Sequence, residues 1–129
     1  MASLYGNGIE LTEKMLDLLW ARQNLTLNNI TNVDTPGYKS RYITFEDELQ
    51  KRLQAASGTG RARTAVSEAI QGTGATLHIT RDESTRLDGN NVDMDQEQVD
   101  LVRSAYEYQY MLNSINNDLK RLQSAARQF

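Results

Sequence analysis

NNITNVDTPGYKSR, residues 28–41, closes a segment that otherwise has the periodicity of a helix. Asn24, Asn28, Asn29 and Asn32 fall within nine residues of one another. Asn is a poor helix-interior residue because its side chain competes for nearby backbone groups. Thr35 precedes Pro36 and is steered out of the helical region, so the helix should end by about Asp34. In Thr35-Pro36-Gly37-Tyr38 the proline holds the second position and the glycine the third, the pattern of a type II turn. The stretch therefore predicts a long helix that runs into a rigid turn and carries its weakest helix formers in its last turns.

Working back from the turn, residues 9–34 form the predicted N-terminal helix. One stripe is Ile9, Leu16, Leu19, Gln23, Thr26 and Ile30, and a neighbouring one is Leu11, Met15, Leu18, Arg22 and Leu25. Together they make an apolar face that narrows toward the asparagines. Working forward, residues 35–86 form a middle segment. Residues 44–56 predict a short helix with Thr44 as N-cap, an acidic first turn, and Phe45, Leu49, Leu53 and Ala56 on one face. Residues 57–75 hold Gly58, Gly60, Gly72 and Gly74, four of the eight glycines, and read as a flexible loop. Residues 75–81 alternate, with Leu77 and Ile79 on one side, as in a short strand or extended arm.

The last helix is expected over residues 93–129, with Asp93 and Gln96 at the spacing of a capping box. From there Met94, Gln98, Leu101, Ala105, Tyr108, Leu112, Ile115, Leu119, Leu122, Ala126 and Phe129 follow alternating four- and three-residue steps, a heptad seam with one polar slip at Gln98. Such a helix is roughly 50 Å long at 1.5 Å per residue. The expected fold is a single, mainly α domain over residues 1–129. Its long terminal helices pair as a coiled-coil-like hairpin, beside a short third helix and a loop-rich middle. Either the hairpin buries its own seams, or the terminal helices pack against neighbouring copies. The length of the second seam favours neighbours.

Composition bounds the function. Net charge is −3 and the sequence pI is about 5.1, with Lys and Arg scattered, which argues against a nucleic-acid binder. Hydrophobic residues make up 39% and mean hydropathy is −0.62, so the core is expected to be thin. The absence of cysteine excludes disulfides, thiolate metal sites and a Cys nucleophile. The N-terminus lacks the basic and apolar regions of a cleaved secretory signal, and no apolar run approaches the roughly 20 residues that span a bilayer.

At this point NNITNVDTPGYKSR resembles the N-terminal signature of the bacterial flagellar rod and hook axial proteins. LDGNNVDMDQE, residues 87–97, looks like the segment that opens the C-terminal helix in the proximal rod type of the basal body. The resemblance covers roughly residues 20–49 and 87–112, and the middle carries none. It implies a structural rod subunit in the periplasm, transmitting torque and lining the export channel. It further implies that the chain is exported unfolded and uncleaved by the flagellar type III apparatus. The implied partners are copies of itself, other rod subunits, the rod–ring junction protein and the membrane ring, with no nucleic acid, small-molecule substrate or cofactor. The assembly residues it implies are Leu16, Leu19, Gln23, Asn28, Asn29, Ile30 and Asn32 in the first helix. In the last helix they are Leu101, Tyr108, Leu112, Ile115, Leu119, Leu122 and Phe129. Signature residues are Asp34, Thr35, Pro36, Gly37, Tyr38, Asp88, Gly89, Asn91 and Asp93. Asn at such an interface is expected to bond across to neighbours and fix register. The sequence departs from the family pattern at Thr31, where a small residue is usual; a β-branched side chain there bears on how closely helices approach.

Other signals yield to plainer readings. Asp88, Asn90, Asp93 and Asp95 suggest calcium, but an EF-hand loop starting at Asp88 would have Val92 at its fifth position, so turns and caps explain them better. Gly72-Thr73-Gly74 lacks the third glycine of a dinucleotide fingerprint. Two sequons, at Asn24 and Asn29, lie on a helix. His78 is the only histidine and no spacing supports a triad. Trp20 reads as packing, and of Tyr106, Tyr108 and Tyr110 only Tyr108 points into the seam. An enzyme is not expected; the alternative to a rod subunit is a soluble helical adaptor or export chaperone.

Overall fold

The computed structural model describes residues 2–58, 62–81 and 86–127, the side chains of 2–6 and 62 excepted. Its elements are α1 (Ala2–Thr31), β1 (Arg41–Thr44), α2 (Glu46–Ser57), α3 (Ala62–Gly72), β2 (Thr76–Ile79) and α4 (Met94–Arg127). The fold is mainly α, with long helices at both ends and one small sheet between them.

α1 begins ahead of the expected Ile9 and stops at Thr31, three residues short of Asp34. The Asn32 amide N–H is shared between the Asn28 and Asn29 carbonyls at 3.2 Å each, while the Asn32 side chain donates to the Asn28 carbonyl at 2.8 Å. Val33 then bonds only three residues back, to Ile30. Asparagine side chains compete for backbone groups in this way, and here α1 gives way at Asn32, ahead of the proline. The turn follows as expected: Tyr38 N–H donates to the Thr35 carbonyl at 3.2 Å, and Gly37 has φ +74°, as the third position of type II requires.

The two terminal helices run antiparallel. Asn29 meets Glu97, Trp20 meets Tyr108 with ring centroids 6.2 Å apart, and Met15, Tyr108 and Met111 pack on Leu18, Leu19 and Phe45, the main core cluster. Arg22 spans α1 and β1. It pairs with Glu46 at 2.6 Å, donates to the Ile43 carbonyl at 3.2 Å and lies 4.4 Å above the Phe45 ring. Burial would raise the Glu46 carboxyl, but the Arg22 guanidinium and nearby backbone N–H groups outweigh it and hold the group below its usual range.

Two expectations need correction. Residues 57–75 were expected as a loop; they contain α3, which lies on α1 through Ser67 and Gln71, both donating to Glu10 Oε1. Its Ile70 is buried, and a Cβ on Gly72 would come within 3.0 Å of the Arg52 guanidinium on α2. The short stripe Ala62, Val66, Ala69 and Ile70 carries the helical period, diluted by Gly, Ser and Thr on either side. Thr44 does not cap α2, because it ends β1 and its hydroxyl is bonded to His78 Nε2 at 2.8 Å; Phe45 takes the cap position with no side-chain hydrogen bond. The segment at 75–81 does form the expected short strand, β2, and its partner is β1, a strand that the sequence reading does not predict. They pair antiparallel from Arg41↔Ile79 to Thr44↔Thr76. Tyr42 stacks on His78 at 4.8 Å, while Leu77 and Ile79 remain exposed.

The seam of α4 is also rotated from the expected one. Its buried residues are Glu97 and Ser104, and Tyr108 and Met111 continue that line into the core. Leu101, Tyr108, Leu112, Ile115 and Leu122 are half-buried, but Gln98, Ala105 and Leu119 are exposed. Polarity misleads here: Glu97 and Ser104 read as solvent-facing yet point at α1. On the opposite side of α4, Val99, Val102, Tyr106 and Tyr110 form a bare stripe, since residues three or four apart share a face.

Burial separates two substitutions in urea unfolding. Phe45 is 1% exposed and Leu77 54%. Phe45→Ala is expected to cost about 3–5 kcal/mol, and Leu77→Ala less than about 0.5 kcal/mol.

Candidate assembly junction

The asparagines of the opening stretch and those of LDGNNVD meet where α1, β1 and α4 converge. Asn29 is the hub, 2% exposed. Its Nδ2 donates to the Arg41 carbonyl at 2.7 Å and to the Glu97 carboxylate at 3.1 and 3.2 Å. Its Oδ1 accepts from the Arg41 N–H and from the Tyr38 hydroxyl, both at 3.0 Å. A carboxamide has two donors and two acceptor lone pairs, and all four are used. Asn29 thus pairs with the end of β1 as another strand would. The side chain on a helix supplies what a backbone edge would otherwise lack.

Asn90 and Asn91 do the same for the turn. Asn90 is fully buried; its Nδ2 donates to the carbonyls of Asn32 and Thr35 at 2.8 and 2.9 Å, and its Oδ1 accepts the Val92 N–H at 2.8 Å. Asn91 Oδ1 accepts the Ser40 N–H at 2.7 Å and its Nδ2 donates to the Thr80 carbonyl at 2.9 Å. Two backbone bonds tie the segments directly: Gly37 N–H to the Asp88 carbonyl at 2.7 Å, and Asn91 N–H to the Tyr38 carbonyl at 3.2 Å. Lys39 Nζ donates to the Gly89 carbonyl at 2.5 Å. Gly37 and Gly89 both have positive φ, and a Cβ on Gly89 would lie 3.6 Å from Gly37 Cα. The two turns therefore nest backbone to backbone.

Asp93 then starts α4, its Oδ1 accepting the N–H groups of Asp95 and Gln96 at 3.1 and 3.3 Å. The reciprocal half of a capping box is replaced, because Gln96 reaches forward to Asp100. Glu97 lies one turn in. Burial raises its carboxyl above the ordinary range, the charges of Asp100 and Asp93 add to that, and the Asn29 N–H opposes it.

The sequence-derived assembly residues divide sharply. Leu19 belongs to the core and Asn29 is spent inside the chain, so neither has capacity for a neighbour. Asn32 is half-buried and accepts from the Thr35 hydroxyl, and Asn28 is exposed but accepts from Tyr38 and Asn32. Leu16, Gln23 and Ile30 are half-buried. Thr31 is exposed and bonds back to the Asn28 carbonyl at 2.9 Å, so its β-branch crowds no helix here. Trp20, expected as packing, does meet Tyr108 across the helix pair yet keeps 57% of its surface exposed. Phe129 lies outside the described residues. Of the signature set, Asp34, Thr35, Pro36 and Gly37 shape the turn on the surface. Asp88 holds the Asn90 N–H through Oδ1 at 3.0 Å. Sequence reasoning missed Asn90 and Glu97; the signal for Asn90 was the tandem asparagines behind Asp88-Gly89, a turn followed by two backbone mimics.

No family model matches the chain. A flagellar basal body rod protein FlgB of Yersinia enterocolitica is 30% identical over 128 residues, covering 93% of each chain. The Escherichia coli K12 protein of that name is 32% identical over 124 residues, 87% of each. That of Bacillus subtilis is 29% identical over 125 residues, 95% of each.

Two substitutions test the junction. Asn29→Ala strands the Arg41 peptide groups and is expected to lower unfolding stability by about 2–4 kcal/mol, against about 1 kcal/mol or less for Asn28→Ala. For Glu97 the sign follows from its raised pKa. The folded chain takes up the proton before the unfolded one, so acidification toward the ordinary carboxylate range favours the folded state. Glu97→Gln should therefore be at least as stable as the parent at pH 7, and the parent should gain on it as pH falls. Loss of ground by the parent on acidification would contradict this assignment.

Proposed function

The chain belongs to the FlgB family of flagellar basal body rod proteins, and from that premise we propose how it builds the rod. The subunit assembles through its terminal helices, packing against copies of itself and other rod subunits. It meets the membrane ring and the rod–ring junction protein at its base, transmits torque and lines the export channel. It reaches the periplasm unfolded and uncleaved through the flagellar type III apparatus. Its role is structural rather than catalytic. One observation carries this reading. From Ala105 to Arg127 no residue of α4 is buried, although Tyr108, Met111, Leu112, Ile115, Leu119 and Leu122 continue the apolar side. A single α1 covers that side only halfway, and a second helix from a neighbour would complete it.

The asparagine junction supports the same reading from the other end. It fixes the angle between the stop of α1 and the start of α4 inside one chain, leaving the distal parts of both helices to be completed by contact. Among the described residues no helix is long and apolar enough to cross a membrane, so the ring contact is read as protein to protein.

The test is a pair of substitutions in cells that depend on this chain for motility. Leu119 sits on the half-covered side, itself 36% exposed in the single chain, and Lys120 beside it lies off that side. Leu119→Asp places a carboxylate where a neighbouring helix would bury it, a penalty of several kcal/mol repeated in each copy. It is expected to be exported yet to form no rod beyond the ring, while Lys120→Asp cells swim. If both behave alike, or Leu119→Asp cells swim normally, α4 is not an assembly surface. Binding of an unfolded client by the parent, with no incorporation into the rod, would favour the adaptor.

A further inference from the structure

The stripe on the outer side of α4, opposite α1, has a pattern of its own. Val99, Val102, Tyr106 and Tyr110 are 53%, 55%, 74% and 71% exposed, with small residues at one end and large ones at the other. Arg103 and Glu107 run along one edge, and neither forms an ion pair among the described residues. Alongside the stripe the other edge is uncharged, with Gln98, Ala105, Gln109 and Leu112, and Asp95 lies one turn before it beside Gln98 and Val99.

We propose that this stripe pairs with the same stripe of a second copy, antiparallel about a two-fold axis near residues 104 and 105. In that one register Val99 lies opposite the partner's Tyr110 and Val102 opposite the partner's Tyr106, so every layer matches a small side chain with a large one. The same register brings Arg103 beside the partner's Glu107, and the symmetry repeats the pair. A parallel, in-register pairing does neither: Val faces Val, Tyr faces Tyr, and the charged edge meets the neutral edge. Opposite charges flanking an apolar seam set helix partner and orientation.

The contact is small, four apolar side chains a copy against the roughly 20–30 residues a side of a standard interface, so the dimer is weak and reversible. A two-fold contact is also closed, whereas a rod needs open, head-to-tail contacts. The pair is therefore a state of the unassembled chain that covers the outer side of α4 until the rod takes the subunit. It stands or falls separately from the rod reading, which rests on the opposite, α1-facing side of α4 and on cell motility.

The full-length purified chain tests it by sedimentation equilibrium across the micromolar to millimolar range. A monomer–dimer equilibrium is expected. Arg103→Glu or Glu107→Arg alone should weaken it by about tenfold, the scale of two rim pairs turned repulsive, and the double exchange should restore it. Orientation is read by oxidation, since the chain has no native cysteine. The two 99 positions lie about 16 Å apart along the antiparallel pair at 1.5 Å per residue. A mixture of Val99→Cys and Tyr110→Cys chains should therefore crosslink, and neither should alone. A monomer at all concentrations, a double exchange as weak as the singles, or efficient crosslinking of Val99→Cys with itself would each overturn the proposal.

Discussion

A single carboxamide, that of Asn29, holds the place where three elements meet. Its donors and acceptor serve β1, the turn tyrosine and the first turn of α4 at once. Without it the end of β1 would face α1 with unpaired backbone groups, and a buried unpaired group costs about 1–3 kcal/mol. Asn90 braces the turn that follows α1, giving the Asn32 and Thr35 carbonyls a second donor each beside the turn's own N–H groups. Packing alone could not specify this junction. The buried cluster of Leu18, Leu19 and Phe45 is too small to dictate the angle at which two helices of 30 and 34 residues cross. Directional bonds do so, and they explain why poor helix formers sit at the end of a long helix.

Much of this was legible in the sequence, for physical reasons. Helical period and the Thr35-Pro36-Gly37 turn depend on local geometry, so both terminal helices and the turn could be read directly. The C-terminal seam is displaced by one position at Glu97 and Ser104, where hydrophobicity is a poor guide to burial, while Tyr108 keeps its expected place. Glu97 is buried because Asn29 is there to receive it, a partner 68 residues away that no window in the sequence contains. The helix α3 was hidden by its glycine-rich flanks, and β1 by its polarity, since its stability comes from pairing with β2 and from Asn29 rather than from an alternating apolar face. The amides themselves were noticed and given an external role. Their internal one requires knowing that residues 28–41 and 86–93 are neighbours.

The resulting molecule is uneven in its stability. At the junction the carboxamides of Asn29, Asn90 and Asn91 are buried or half-buried and hydrogen-bonded, while α4 from about residue 112 onward leans on α1 with one half-covered side. In the assembly proposed above, such a division would be useful: the junction would set the angle between the helices, and the half-covered part of α4 would be left to meet neighbours. The raised Glu97 carboxyl and the lowered Glu46 carboxyl tilt stability in opposite directions on acidification, so the fold does not hinge on either ionisation alone.

Amide hydrogen exchange, residue by residue, on the dilute chain and on the assembled rod tests the account most directly. In the dilute chain the amides of Gly37, Arg41, Asn91 and Val92 should be strongly protected, because each donates to a fixed acceptor in the junction. Those of residues 112–127 should exchange quickly, and become protected only in the rod. Strong protection through residue 127 in the dilute chain would contradict the account: the two helices would then form a self-sufficient hairpin that needs no neighbour.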